Sequence, residues 1–179
     1  MPGNKKGSLE GFIFPDTYRF DRSVTPYQIV ARALKNFEVR TAALRNQLTL
    51  KNRDFYKILI MASILEKEVP HEDMPLASGV LWKRLELGMP LQADATLVYA
   101  LGRPIRRSDT STLDSAYNTY LYKGLPPTPI SNPGIDGLKA ALAPQTSEYL
   151  YYLTRAHDGK TIFSRTLEEH NLARAKYLQ

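Results

Sequence analysis

The chain contains no cysteine in 179 residues, which excludes disulfides, thiol catalysis and thiolate metal sites without fixing a compartment. No apolar run approaches the ~18 residues of a membrane span, and no stretch reads as a signal peptide. Histidine is scarce, and His71, His157 and His170 stand too far apart for close ligand spacing. Each reads as a surface or loop residue. The sequence also lacks a Gly-x-Gly-x-x-Gly, a phosphate-binding loop and a Gly-x-Ser-x-Gly elbow, so no residues stand out for nucleotide binding or elbow-type hydrolysis. Internal repeats, low-complexity stretches and domain linkers are absent as well.

The length suits one domain with a sizeable core, or a domain with a small appendage, and 43% hydrophobic and 23% charged residues are ordinary for a soluble globular protein. A net charge of +6 fits an anionic partner such as nucleic acid, a membrane surface or an acidic polymer. The basic residues are dispersed, however, and the 11 tyrosines carry no nucleic-acid motif around them, so nucleic acid is not expected. Met1 to Ser8 reads as a leader outside the fold.

The most buried-looking segment runs from Asp54 to Pro70. At 100° per residue, Ile58, Met61, Ala62, Leu65 and Val69 share a face, with Tyr56, Ser63 and Lys67 opposite. Pro70 ends the helix by disfavouring helical geometry at Val69. Two carboxyls, Glu66 and Glu68, fall in the last turn, each about a quarter-turn from the apolar face and on opposite sides. The carbonyl end of a helix disfavours negative charge, so a half-desolvated carboxyl there has a raised pKa and suits a general acid. Periodicity does not choose between the two, and solvated glutamates at a helix end are the plain alternative.

Around this helix the sequence predicts five further helices and a hairpin. Thr25, Pro26 and Gln28 start a helix reaching about residue 47. Asp73 and Pro75 open another, with Val80, Leu81, Trp82 and Leu85 inward and Gly88 closing it. Asp94 is expected to cap a short helix from Ala95 to Leu101. Arg103 to Thr112 reads as a basic loop, and Leu113 to Pro133 as an irregular, proline-stiffened wall. A helix from Ile135 to Ala143 stops at Pro144. Glu148–Thr154 and Thr161–Phe163 read as strands joined around Asp158-Gly159. Thr166 and Glu169 box the last helix, which reaches about Leu178. The expected fold class is α+β, helix-rich, as a single catalytic domain with a small C-terminal hairpin and a rigid proline-rich loop lining a cleft.

The polar residues left at helix ends and in the stiff loop are Glu66 or Glu68, Gln92, Asp94, Asn118, Thr119 and Tyr120. Amides and tyrosines beside a carboxylic acid suit a sugar site, with rings stacking on pyranose faces and amides pairing with hydroxyls or acetamido groups. For Asp94 the helix cap, and for Tyr117 and Tyr120 core packing, are the structural alternatives.

Four ordered motifs carry a resemblance: Ala62-Ser63-Ile64-Leu65-Glu66-Lys67-Glu68, Leu91-Gln92-Ala93-Asp94-Ala95-Thr96, Tyr117-Asn118-Thr119-Tyr120 and Gly124-Leu125-Pro126-Pro127-Thr128-Pro129-Ile130. With Leu9 to Tyr18 at the start and Phe163 and Glu169-His170-Asn171 at the end, residues 9–179 resemble the endolytic murein transglycosylases, the MltG or YceG-like family. Thr128 departs from the glycine frequent there. The resemblance implies endolytic cleavage of the MurNAc-GlcNAc β-1,4 bond in nascent peptidoglycan, leaving 1,6-anhydro-MurNAc ends. It makes Glu68 the catalytic acid and base, and Glu66 a supporting residue. It places Gln92, Asp94, Asn118, Thr119 and Tyr120 in the cleft as substrate-binding residues.

No metal or organic cofactor is implied. The resemblance further implies peptidoglycan strands and cell-wall synthases as partners. Family members carry a membrane helix and a LysM-like domain first, so this chain is expected to be the catalytic domain of a membrane-anchored protein working outside the cytoplasm. The rival reading is a glycan-binding module that positions a synthase without turnover.

Overall fold

The helix that carries the two glutamates is the centre of the molecule. A computed structural model describes residues 8–51, 54–155 and 157–177, without the side chains of 48–51. In order the elements are α1 (Pro26–Lys51), α2 (Phe55–Glu68), a 3-10 turn (His71–Asp73), α3 (Met74–Glu86), α4 (Asp94–Leu101), α5 (Asp109–Thr112), α6 (Ile135–Leu142), β1 (Tyr151–Thr154), β2 (Thr161–Ser164) and α7 (Leu167–Tyr177). About half the chain is helical, beside one two-stranded antiparallel sheet. The α+β expectation holds. The leader expected at Met1 to Ser8 lies, but for Ser8, outside the described residues.

Every residue of α2 from Ile58 to Leu65 is buried, because α3, α4 and α6 surround it. This corrects the one-faced wheel: Ser63, expected opposite the apolar face, has no exposed surface. Its hydroxyl donates to Ile60 O (2.7 Å) and accepts from Ile130 N–H (3.0 Å), while Ser131 Oγ donates to Ser63 O (2.9 Å). Ser63 therefore fastens the proline-rich wall to the central helix. Asn132 fastens the wall to the entry segment, its Oδ1 accepting from Gly11 N–H (2.8 Å) and Ile13 N–H (3.1 Å). Gly11 has φ +90°, and a Cβ there would lie 2.6 Å from Pro129, so both conformation and space call for glycine. Thr128 is buried and shares a 2.7 Å hydrogen bond with the Tyr117 hydroxyl.

Local caps and breakers account for some of the boundaries and not for others. Gln28 Oε1 accepts from Thr25 N–H (2.8 Å) and Gln28 N–H donates back to Thr25 Oγ1 (3.3 Å), the reciprocal box expected at α1. That helix continues to Lys51 rather than stopping near 47. Val69 is extended, at φ −142° and ψ 156°, as the following proline requires. Asp73 stands at the cap position of α3 but its side chain makes no cap bond. Helix α6 ends one residue earlier than expected, at Leu142. The basic loop contains α5, and Asp109 holds it together by pairing with both Arg103 terminal nitrogens (2.8 and 3.0 Å).

The strands pair with Tyr151 opposite Ser164 and Thr154 opposite Thr161, shorter at the front than expected and one residue longer at the end. Gly159, at φ +70°, turns the hairpin. At α7, Glu169 N–H bonds Thr166 Oγ1 (3.1 Å), but the Glu169 carboxylate reaches Arg165 N–H (2.8 Å) instead of closing the box on Thr166. Leu178 lies outside the described residues.

Candidate active site

The two glutamates separate because each meets the N-terminal end of a different helix. Glu66 Oε2 accepts from Gly134 N–H (3.2 Å), at the start of α6. Glu68 Oε1 accepts from Ala95 N–H (2.8 Å), in the first turn of α4. Both carboxylates sit at the unfavourable end of α2, yet each is offset by the amide end of a neighbour. Asp94, expected to cap α4, is its first residue, and the cap position falls to Ala93, which makes no side-chain cap bond. Glu68 does that work from another helix, so the capping partner lies 27 residues away in sequence.

Only Glu68 of the pair opens on the large cavity, of about 910 Å³. Strand β1 closes over it. Because side chains alternate along a strand, Tyr152 and Thr154 face the same way. The Tyr152 hydroxyl donates to Glu68 Oε2 (3.2 Å), and Thr154 Oγ1 donates to the Glu68 carbonyl (3.2 Å). Burial pushes the Glu68 carboxyl up to about 7, with nearby Asp94 adding to the rise, against the opposing pull of the Ala95 and Tyr152 hydrogen bonds. Burial and the adjoining Glu68 charge hold Tyr152 far above the ordinary phenol range, so it remains a neutral donor.

Gln92, Asp94 and Tyr120 line the same cavity. The Tyr120 hydroxyl donates to Asp94 Oδ1. Gln92 adopts φ +53°, the only left-handed non-glycine backbone among the described residues. Arg84 pins it there: one terminal nitrogen donates to Gln92 Oε1 (2.7 Å) and the other to Leu91 O (2.8 Å).

Asn118 and Thr119, expected in the cleft, lie behind its wall. Asn118 is wholly buried. Its Nδ2 donates to Leu113 O (2.8 Å) and its Oδ1 accepts from Tyr120 N–H (3.0 Å), folding the loop that carries Tyr120. Thr119 Oγ1 accepts from Ala93 N–H (3.0 Å) and bonds Thr96 Oγ1 (3.0 Å), anchoring the turn before α4. Their amide and hydroxyl groups are committed to the protein.

Sequence reasoning missed Arg84, Arg107, Tyr151, Tyr152, His170 and Arg174, all of which line the cavity. One signal was available for Arg84. It falls four residues after Val80 and three after Leu81, on the buried stripe of α3, where a lone charge is out of place. His170, read as a surface or loop histidine, is half-buried on α7 and stacks on Tyr151 at 5.4 Å between ring centroids. Burial, then the charges of Arg174 and Arg84, lower its pKa. Among the described residues no cluster of metal-ligating side chains occurs.

These features define a helix-rich α+β domain built around an acid-bearing cleft, its one raised carboxyl braced by a helix amide and a tyrosine. The chain belongs to the YceG-like family, whose model matches residues 3–176. It is 37% identical over 179 residues to a Bacillus subtilis (strain 168) protein named endolytic murein transglycosylase, covering 98% of this chain and 49% of that protein. A protein of the same name from Streptococcus pneumoniae serotype 2 is 30% identical over 171 residues, covering 91% of this chain and 31% of that one. A crystal structure of a yceG-like protein from Listeria monocytogenes superposes with a TM-score of 0.86 at 42% identity, over 92% of this chain and 55% of that chain. The chain thus spans about half the length, or less, of the curated relatives it matches.

Proposed function

We propose that this domain cleaves peptidoglycan glycan strands internally as a lytic transglycosylase, with Glu68 as its single acid and base. The observation that carries the reading is the state of Glu68: a carboxyl raised to about 7, opening on the large cavity, with its ionised form still supported by Ala95 N–H. A pKa near the working pH lets one group give and then take a proton. The names of the curated relatives support the same class of substrate.

Ala95 N–H occupies Oε1, so the proton of the neutral acid belongs on Oε2, the oxygen that Tyr152 also reaches. From Oε2 it passes to the glycosidic oxygen of a MurNAc-GlcNAc β-1,4 bond. The C1–O bond breaks and positive charge develops on the MurNAc ring. The C6 hydroxyl of the same sugar then attacks C1, and Glu68, now a carboxylate, takes its proton. The products are a free hydroxyl end and a 1,6-anhydro-MurNAc end, with no water consumed. Ordinary glycosidases need a second carboxyl to activate water or trap the sugar. Here the substrate's own hydroxyl fills that role. Asp94, tied to Tyr120, is assigned to the polar lining that steadies the developing charge, together with Gln92.

Peptidoglycan lies beyond the cytoplasmic membrane, so the domain is proposed to work there as part of a membrane-anchored protein beside a cell-wall synthase. Incubating purified sacculi with the protein and separating the products by mass tests the proposal. Anhydro-ended muropeptides, one water lighter than hydrolysed ends, are expected from the wild type and not from Glu68→Gln. Strand binding without any product would favour the positioning-module reading instead.

A further inference from the structure

The cavity holds more positive charge than an acid-catalysed reaction on a neutral sugar requires. Lys67, Arg84, Arg107 and Arg174 all line it, and among the described residues none of the four pairs with a carboxylate. Elsewhere Arg40 is matched by Asp16, Arg103 by Asp109 and Arg155 by Asp158. The two acids of the cavity are already engaged, Glu68 by Ala95 and Tyr152, and Asp94 by Tyr120. Arg84 is buried and spends its terminal nitrogens on Leu91 and Gln92, while Lys67, Arg107 and Arg174 are exposed. Arg107 comes from the loop before α5, and Arg174 from α7, so the exposed cations belong to elements far apart in the chain. Uncompensated cations in a cleft with protein walls concentrate an anion there.

We propose that Arg107 and Arg174 form an anionic subsite for carboxylates on the peptide branches of the glycan strand, so that the cleft distinguishes peptide-bearing from bare strands. The inference rests on the glycan reading above and deepens it. Both arginines line the cavity of about 910 Å³ that Glu68 opens on, which has room for a peptide branch beside the sugar rings. Guanidinium groups also pair with carboxylates through two parallel hydrogen bonds, which gives the subsite geometry as well as charge.

The test is equilibrium binding of soluble glycan oligomers to the Glu68→Gln protein, which keeps strands intact during measurement. Peptide-bearing oligomers are compared, at low and at high salt, with the same oligomers stripped by an amidase, which lose the branch carboxylates and keep one lactyl carboxylate on each MurNAc. The expected preference is about 3–10-fold for peptide-bearing strands, shrinking with salt, as two exposed charge pairs supply. In R107Q/R174Q the preference should vanish, and in R107E/R174E it should invert, with unchanged circular dichroism because both side chains are exposed. Equal binding of the two oligomers by the unmodified cleft overturns the subsite and leaves the glycan reading standing. Binding of neither oligomer overturns the glycan reading and the subsite with it. Displacement by inorganic pyrophosphate at lower concentration than by a free branch peptide overturns the carboxylate assignment in favour of a lipid-linked phosphate.

Discussion

Ala95 N–H donates to Glu68 Oε1 across 2.8 Å, so the last residue of α2 closes the first turn of α4. One contact thereby joins the acid to the scaffold and keeps its ionised form accessible in a site that otherwise disfavours it.

Burial of that carboxyl, which the contact only partly offsets, sets a pH dependence of stability. Glu68 holds its proton more tightly in the folded chain than in the unfolded one, since burial raises its pKa to about 7. Between the ordinary glutamate value and about 7 the folded state therefore binds more protons. The stability this gives is present below that window and lost as pH rises through it. Glu68→Gln removes the ionisation and should melt close to the wild type at pH 4. At pH 8 it should melt higher, by about 1 kcal/mol or roughly 2–4 °C once screening from the open cavity is allowed for. Thermal melts across pH measure this, and a gap that does not widen with pH would show that the carboxyl is not raised. The same titration predicts a kcat/KM that falls as pH climbs through about 7.

Glu66 should behave as a structural residue. Its carboxylate receives Gly134 N–H at the head of α6, and a Cβ on Gly137 would come within 3.1 Å of it. Glu66→Ala should cost about 1 kcal/mol of stability, as other helix-cap losses do, with turnover per folded molecule retained. If denaturant melts are unchanged while turnover disappears, the carboxyl is acting in the cleft instead.

Asn118 was expected to bind glycan and is instead wholly buried under the wall, with its amide bonded to Leu113 O and Tyr120 N–H. Asn118→Ala leaves buried backbone groups without partners and should cost about 2–3 kcal/mol. Urea unfolding should show the loss. Unchanged stability together with weakened strand binding would return Asn118 to the substrate.

The left-handed backbone of Gln92 separates two variants. Ala and Gly both remove the amide that Arg84 holds, but only glycine relieves the φ of +53°. Gln92→Gly should therefore be more stable than Gln92→Ala by about 1 kcal/mol, while both lose turnover equally. Equal melting of the two would mean that the turn carries no strain. Unequal turnover would mean that backbone shape, rather than the amide, is what the site needs.

The helices were legible in the sequence wherever a local rule sets them. Thr25 and Gln28 box α1, Pro70 stops α2, and Gly159 turns the hairpin, each through groups only a few residues apart. The position of the acid was half legible. Periodicity placed Glu66 and Glu68 on either flank of α2 and stopped there, and only the resemblance of four ordered motifs chose Glu68.

The tertiary structure decided what each polar side chain is occupied with. Ser63 and Asn118 read as surface or site residues because a helical wheel or a polar stretch does not show the wall that packs over them. Tyr152 reaches Glu68 across 84 residues and Ala95 reaches it across 27, distances at which no periodicity connects positions. Capping, alternation and proline geometry act within a few residues of sequence. A carboxyl's desolvation and hydrogen-bond partners are fixed only when distant segments converge on it.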